Sequence, residues 1–335
     1  MAGLRVVVTG ATGNLGRSVT SALCADERVE RVVGLARRPA RETDRKLELR
    51  TADITGDDLD RHITGADVVV HLAWMFQPIR DPLKTWRANV LGGMRVFEAV
   101  ARCGAGSLVY SSSVGTYSPG PKDEPVGEDW PTHGWPGAAY TREKAYLERF
   151  LDAFEPANPA VRVVRMRPAF LFQRESASEQ RRIFGGPLVP NAIGRPGLVP
   201  LVPDIPGLKF QVCHTDDAAD AFRRAVVGDV RGAVNVACDP VVDASVLAGV
   251  FGARTVPVPR WPVRAGLVAA WTLRAVPVEP GLLDAVLEMP VMSTRRARTE
   301  LGWSPRMGAA DVLGEFLDGL RNRRGAATVP LHPDS

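Results

Sequence analysis

Cysteine is scarce in this chain. Its four cysteines, Cys24, Cys103, Cys213 and Cys238, lie far apart, and no pair has metal-ligand or redox-motif spacing. No metal site and no disulfide framework is therefore expected. A run of ~20 apolar residues, the length a bilayer span requires, is also missing. The most apolar later stretch, Ala265 to Leu273, is much shorter. Charge of one sign is not in excess: 42 Lys+Arg stand against 38 Asp+Glu, a net +4. No basic run alternates with aromatics, so no nucleic-acid channel is expected. Met1 to Arg5 leads straight into a strand, so no secretory signal is expected. With the isolated cysteines, this points to a reducing cytoplasm. Lysine and tyrosine are rare too, at five (Lys46, Lys84, Lys122, Lys144, Lys209) and four. That scarcity makes their placement informative.

What is present alternates between strands and helices. Leu4–Val8, Val32–Leu35, Leu47–Arg50, Asp67–Leu72, Leu108–Ser111 and Val161–Met166 are short apolar runs of strand type. Between them, Asn14–Ala25, Asp57–Ile63, Leu83–Cys103 and Ala138–Phe154 carry apolar residues at helical spacing. The fold class this predicts is α/β, a doubly wound parallel Rossmann sheet with a smaller, mostly helical C-terminal substrate lobe. The expected division is a dinucleotide domain over 1–168 with 209–240 returning to it, and a substrate lobe over 169–208 and 241–324. Residues 325–335 are expected to form a flexible tail. Arg174–Leu208 is rich in proline and glycine and reads as a long irregular segment with one short helix. Arg260–Arg274, with Trp261, Leu267, Val268 and Trp271, has the composition of an interfacial helix, but burial in the lobe is the expectation.

The first strand runs into Thr9-Gly10-Ala11-Thr12-Gly13-Asn14-Leu15-Gly16, a Gly-x-x-Gly-x-x-Gly turn ahead of the first helix. Glycines permit a tight turn and close backbone approach, and the helix N-terminus offers free N–H groups to a pyrophosphate. Without a strand and a helix around it such a triplet is a weak signal; its position makes it a strong one. The second strand ends Ala36-Arg37-Arg38, with alanine where NAD sites usually carry an acid. Two guanidiniums there suit a 2′-phosphate, so NADP is expected over NAD.

Tyr140 and Lys144 stand one helical turn apart. Random placement of four tyrosines and five lysines would give roughly 0.06 such pairs. A neighbouring cation favours phenolate, which lets a tyrosine pass a proton near neutral pH. Tyr110-Ser111-Ser112-Ser113 ends a strand at the sheet edge where ligands sit, and a serine hydroxyl there can donate to a substrate oxygen.

These residues, in this order, resemble the extended short-chain dehydrogenase/reductase superfamily, the NAD(P)-dependent epimerase/dehydratase group, over nearly the whole chain. The resemblance implies a catalytic triad of Ser113, Tyr140 and Lys144. With Arg37 and Arg38 as read above, the expected dinucleotide contacts are then Gly10, Gly13, Asn14, Leu15, Gly16, Arg37, Arg38, Asp53, Ile54, Leu72, Ala73, Trp74, Asn89, Ser111, Tyr140, Lys144 and Pro168. His214-Thr-Asp-Asp217-Ala and Leu301-Gly302-Trp303-Ser-Pro305 are similar to late structural signatures of the group. Val114-Gly115 replace the Asp-Glu pair of the group's dehydratases, which argues against sugar dehydration. Phe170-Leu171-Phe172 stand where nucleotide-sugar enzymes often carry asparagine, which suggests a less polar substrate.

The function expected is hydride transfer between NADP(H) and a secondary alcohol or ketone of a small substrate that is not nucleotide-linked. A cofactor-retaining sugar epimerase and a non-catalytic dinucleotide sensor are the alternatives. Trp74, Met75 and Phe76 are candidates for the pocket wall. Arg167 and Asp217 are expected to form an ion pair between the lobes. The helices over 83–103 and 138–154 each have enough apolar surface for a homodimer interface.

Overall fold

The structure, a computed structural model, describes residues 3–38, 44–77, 79–186, 190, 191, 197–326, 328, 331 and 332. Valine-rich runs become strands because β-branched side chains pack well on a pleated surface buried on both faces. The first half reads β1 (Leu4–Thr9), α1 (Asn14–Cys24), β2 (Val29–Ala36), β3 (Leu47–Thr51), α2 (Asp60–Ile63), β4 (Val68–His71), α3 (Pro82–Trp86), α4 (Gly92–Arg102), β5 (Ser107–Ser111), α5 (Ala139–Ala157) and β6 (Arg162–Pro168). The second half adds β7 (Phe170–Phe172), α6 (Ala177–Gln180), β8 (Leu201–Asp204), β9 (Val212–His214), α7 (Thr215–Val227), β10 (Gly232–Val236), α8 (Ala244–Phe251), β11 (Arg254–Pro257), α9 (Arg260–Thr272), α10 (Pro280–Glu288), α11 (Arg295–Glu300) and α12 (Ala309–Arg321).

Seven strands form one parallel sheet in the order β10-β6-β5-β4-β1-β2-β3. The chain leaves β1 on one side for β2 and later returns on the other side as β4. The switch point, where open α/β sheets bind ligands, therefore lies at the C-terminal ends of β1 and β4. One face is covered by α1 and α7, through Val19, Leu23, Ala218 and Phe222. The other is covered by α4 and α5, through Val96, Phe97, Leu147 and Leu151. This is the doubly wound Rossmann arrangement that the alternating pattern predicts.

Four expectations are corrected. The helix over 83–103 is interrupted by a wider, π-helical turn at Arg87–Leu91, which buries Asn89. The Arg167–Asp217 pair does not form. Arg167 donates to Glu148 at 2.9 and 3.0 Å. Asp217 accepts from Arg306 Nε at 2.6 Å and from the Arg306 and Met307 amides. Each buried charge has a partner, as desolvation demands, but a different one. No residue of α9 is buried; Trp261 is 74% exposed and Leu273 78%. Trp271 alone of its tryptophans turns inward, under the Arg80 guanidinium at 3.5 Å. The C-terminal segment folds back where it is described: Leu331 is buried and its carbonyl accepts from the Ala326 amide at 2.9 Å. The irregular segment holds α6, a π-helical turn at Arg181–Gly185 and β8, which pairs with β11; residues 187–189 and 192–196 lie outside the described ones. Among the described residues no helix is long and apolar enough to cross a membrane.

Candidate active site

At the end of β1, Gly10 turns the chain with φ +73°, a conformation costly for any other residue. A Cβ on Gly10 would stand 2.7 Å from the Ala73 amide nitrogen, and one on Gly16 would collide with the Gly10 carbonyl. Gly13 caps α1 without a side-chain hydrogen bond. The first-turn amides thus keep the positive end of the helix dipole, next to half-buried Leu15. This cradle suits a pyrophosphate. Asn14 is not aimed into it. Its Oδ1 accepts from Gln173 Nε2 at 2.6 Å and from Thr215 Oγ1 at 3.4 Å, tying α1 to the segments that follow β7 and β9.

Arg37 and Arg38 follow β2 and are exposed. Asp53 accepts from the Thr55 amide at 2.8 Å and hydroxyl at 2.7 Å. Burial opposes its ionisation, but these bonds and the charges of Arg37 and Arg95 outweigh it and lower its pKa. Ile54 is buried, and its carbonyl accepts from Arg95 at 2.6 Å.

His71 ends β4. Its buried ring shares a 2.7 Å hydrogen bond with the Thr9 hydroxyl. Burial, aided by the Lys144 charge, pushes its pKa down to about 3, so the ring is neutral. Thr9 Oγ1 also accepts from the Leu72 and Ala73 amides at 3.3 Å, which latches the segment after β4 beneath Gly10. Asn89 clamps Met75, two residues on: the Met75 amide donates to its Oδ1 at 2.7 Å, and its Nδ2 donates to the Met75 carbonyl at 2.9 Å. The same Nδ2 reaches Glu143 at 2.6 Å, and Thr85 donates to Glu143 at 2.7 Å. Asn89, implied as a dinucleotide contact, uses its amide within the protein.

Past β5 the three serines diverge. The Ser111 carbonyl accepts from Lys144 Nζ at 2.6 Å. Ser112 donates to Glu148 at 2.6 Å. Ser113 accepts the Gly115 amide at 3.0 Å and hydrogen-bonds the Tyr140 phenol. Helix α5 thus brings Tyr140 and Lys144 to the same strand end, with Pro168 buried at the end of neighbouring β6. Lys144 is 4% exposed, and its Nζ lies 3.6 Å over the Trp74 ring and 6.0 Å from the Tyr140 ring centre. Burial pushes the ammonium down to about 7 against the pull of Glu143 and Glu148. Burial pushes the Tyr140 phenol up to about 12, offset only partly by Ser113. The expected drift of the phenol toward ionisation is therefore reversed within the protein itself: burial outweighs the Ser113 hydrogen bond and the phenol holds its proton.

Beneath the serines lies a network that the sequence did not announce. Glu148 is fully buried and accepts from Ser112, Arg165 and Arg167. Burial opposes its charge, but Arg167, Arg165 and Ser112 bring its pKa down to about 2. Arg167 also donates to Tyr117 at 3.0 Å, whose hydroxyl donates to Asn235 at 2.6 Å. One signal was present: Glu148 continues the 140–144–148 stripe, the face of α5 that the pairing of Tyr140 with Lys144 turns inward.

Aromatic rings surround the phenol. Phe76 stacks on Tyr140 with centroids 5.2 Å apart and planes 14° apart. Trp74 meets it edge-on at 5.6 Å, and Phe184 meets Phe76 edge-on at 5.8 Å. Phe170 and Phe172 instead pack on Phe210 and Phe316, in the lobe's own core. From α10 comes a further contact. Glu279 accepts the Ala139 amide at 2.7 Å, capping α5 one residue before Tyr140, and Gly281 packs its backbone on the Gly137 carbonyl.

The family described as NAD dependent epimerase/dehydratase matches residues 6–237. A Streptomyces protein named 3-diazoavenalumate denitrifying reductase is 30% identical over 327 residues, which cover 90% of this chain and 96% of that one. An uncharacterised Mycobacterium tuberculosis protein is 27% identical over 96% of this chain, but the chain spans only 31% of that relative's length. Among solved structures, the UDP-glucose 4-epimerase of Thermus thermophilus, in complex with NAD, aligns with a TM-score of 0.69 at 20% identity, over 95% of this chain and 99% of that one.

Proposed function

This chain belongs to the NAD dependent epimerase/dehydratase family, and from that premise we propose that it transfers hydride between a nicotinamide dinucleotide and the carbon of a secondary alcohol or ketone. The observation that carries the proposal is the protonated Tyr140 phenol, hydrogen-bonded to Ser113 at the C-terminal edge of β5 with Lys144 buried behind it. A dinucleotide sensor without chemistry has no need of that arrangement.

The glycine cradle and the open N-terminus of α1 fit a pyrophosphate. Gly10, Gly13, Leu15 and Gly16 would hold it, with Asp53 and Ile54 at the adenosine end and Leu72, Ala73, Trp74 and Lys144 at the nicotinamide end. Residues 1–168 and 209–240 form the dinucleotide side in this proposal, and the remaining lobe holds substrate. A bound dinucleotide supplies or accepts the hydride. The chain's own residues handle the oxygen. Ser113 accepts the Gly115 amide, and its hydroxyl hydrogen, which faces the Tyr140 oxygen in the free protein, would turn to the substrate oxygen. Tyr140 gives that oxygen a proton as negative charge develops, and takes one back from water. The carbon gains a hydride and the oxygen a proton; the reverse path oxidises the alcohol.

The finer proposal is a reductase that releases its product and acts on a substrate that is not nucleotide-linked. The apolar wall around Tyr140 supports it, as does the Streptomyces relative, itself named a reductase. An epimerase that retains its cofactor is the second reading, favoured by the likeness to the Thermus fold. That neighbour carries NAD, so the proposal of NADP rests on Arg37 and Arg38 and on Ala36 in the place of the usual acid. The test is Tyr140→Phe, which removes the proton and keeps the ring. Turnover should fall about 10³-fold, with dinucleotide affinity within threefold of wild type; near-normal turnover would sink the mechanism. Net consumption of reduced dinucleotide separates a reductase from an epimerase.

A further inference from the structure

What lies around the Tyr140 hydroxyl speaks to the class of substrate. Two rings pack on the Tyr140 ring, and a third, from another part of the chain, packs on one of them. Trp74 and Phe76 come from the segment after β4, and Phe184 from the π-helical turn after α6. Polar contacts add to this packing in fixing their positions. Asn89 holds both backbone groups of Met75, between the first two rings. Gln77 Nε2 donates to the Ile183 carbonyl at 3.0 Å and the Pro277 carbonyl at 3.3 Å, while its Oε1 accepts from the Ile79 amide at 3.1 Å. The residue beside Phe76 thus ties the first wall to the residue beside Phe184.

Those same contacts use up the amide side chains of Gln77 and Asn89, which a sugar could otherwise have met at this wall. Gln77 and Asn89 are engaged within the protein, and Asn14 and Gln173 engage each other. A hydroxyl-rich substrate placed against these rings would lose water contacts without replacement, and each unreplaced bond is costly. A flat apolar ring loses nothing and gains offset or edge-on contacts of the kind the three rings already make.

We propose that the substrate is an aromatic ketone or its carbinol, with an aryl group attached to the reacting carbon and packed among Trp74, Phe76 and Phe184. This rests on the hydride-transfer reading for its chemistry, but the binding claim is separable from it. With the carbonyl oxygen at Tyr140 and Ser113, the directly attached ring falls among the side chains that crowd the phenol.

The experiment compares acetophenone with cyclohexyl methyl ketone, close in size but without the aromatic face, and with UDP-glucose. The protein is loaded with dinucleotide. Wild-type kcat/KM should favour acetophenone at least tenfold over the cyclohexyl ketone. Phe76→Leu combined with Phe184→Leu should bring that ratio within threefold while dinucleotide affinity is unchanged. Binding is read separately by calorimetry on Tyr140→Phe, in which acetophenone should bind tighter than the cyclohexyl ketone. Equal treatment of the two ketones, failure of acetophenone to bind, or turnover of UDP-glucose in preference to both would overturn the aromatic assignment. Selective binding of acetophenone without turnover of any substrate would uphold the aromatic site and overturn the hydride-transfer reading instead.

Discussion

Replacing Lys144 by methionine should stabilise the folded chain while abolishing turnover. The ammonium is 4% exposed, and its hydrogen-bond acceptor is the Ser111 carbonyl. Burial brings its pKa from 10.5 to about 7. The folded value lies below the unfolded one, so between these pH values the unfolded chain binds a proton that the folded chain releases. Stability must then rise with pH from about 7 to 10.5, and below pH 7 the whole cost is present. At about 1.4 kcal/mol for each tenfold change in proton affinity, that cost is on the order of 5 kcal/mol. Methionine fills a similar volume but leaves the Ser111 carbonyl without its donor, a loss of about 1–3 kcal/mol. The net gain near pH 6 is therefore roughly 2–4 kcal/mol, a rise of several degrees in Tm for a chain of this size. Thermal unfolding of both proteins at pH 6 and pH 9.5 is the assay. The stability gap should be widest at pH 6 and should shrink or change sign at pH 9.5. A variant less stable than wild type at pH 6, or a gap independent of pH, would refute the reasoning.

Three further outcomes are expected. Arg37→Ala with Arg38→Ala should weaken NADPH binding at least tenfold more than NADH binding in a fluorescence titration; equal losses would remove the 2′-phosphate assignment. Glu148→Gln should cost about 3–5 kcal/mol in a denaturant melt, because Arg165 and Arg167 then lose a buried counter-charge. The Glu148 contribution is complete above its unfolded pKa of about 4.5 and fades as pH falls toward 2, so the variant's deficit should narrow in acid. A homodimer through the stretches 83–103 and 138–154, where Leu91 and Tyr146 are exposed and Phe150 is half-buried, should show twice the 36.2 kDa chain mass by light scattering; a monomer at high concentration would rule it out.

The parts legible in the sequence are those written within one element. The strands β1 and β4–β6, the glycine turn and the Tyr140–Lys144 spacing each depend on neighbours within a turn or two. The partners of Arg167 were illegible because Glu148 reaches it across the sheet face from another element, and any of several acids satisfied the demand for a counter-charge. Asn89 read as a ligand contact because the π-helical turn that points it at Met75 has no marker in the local pattern. Phe184 was hidden in a segment rich in glycine and proline, where no periodicity tells which side chain turns inward. The exposure of α9 went unread for a related reason. Apolar composition predicts burial only where something packs against the helix, and for its Trp261 and Leu273 face nothing does among the described residues.

The junction between α10 and α5 bears on modularity. Gly281 lies so close to the Gly137 carbonyl that no side chain fits between them, and two residues earlier Glu279 caps the helix that begins just before Tyr140. The segment that carries α10 is therefore also the part that finishes the helix on which Tyr140 stands. Grafting a relative's C-terminal segment onto this N-terminal half would succeed only if the donor brought a carboxylate and a glycine at these two places. A donor lacking them would leave the tyrosine on a frayed first turn, so a chimera made to change substrate preference would lose catalytic competence at the same cut.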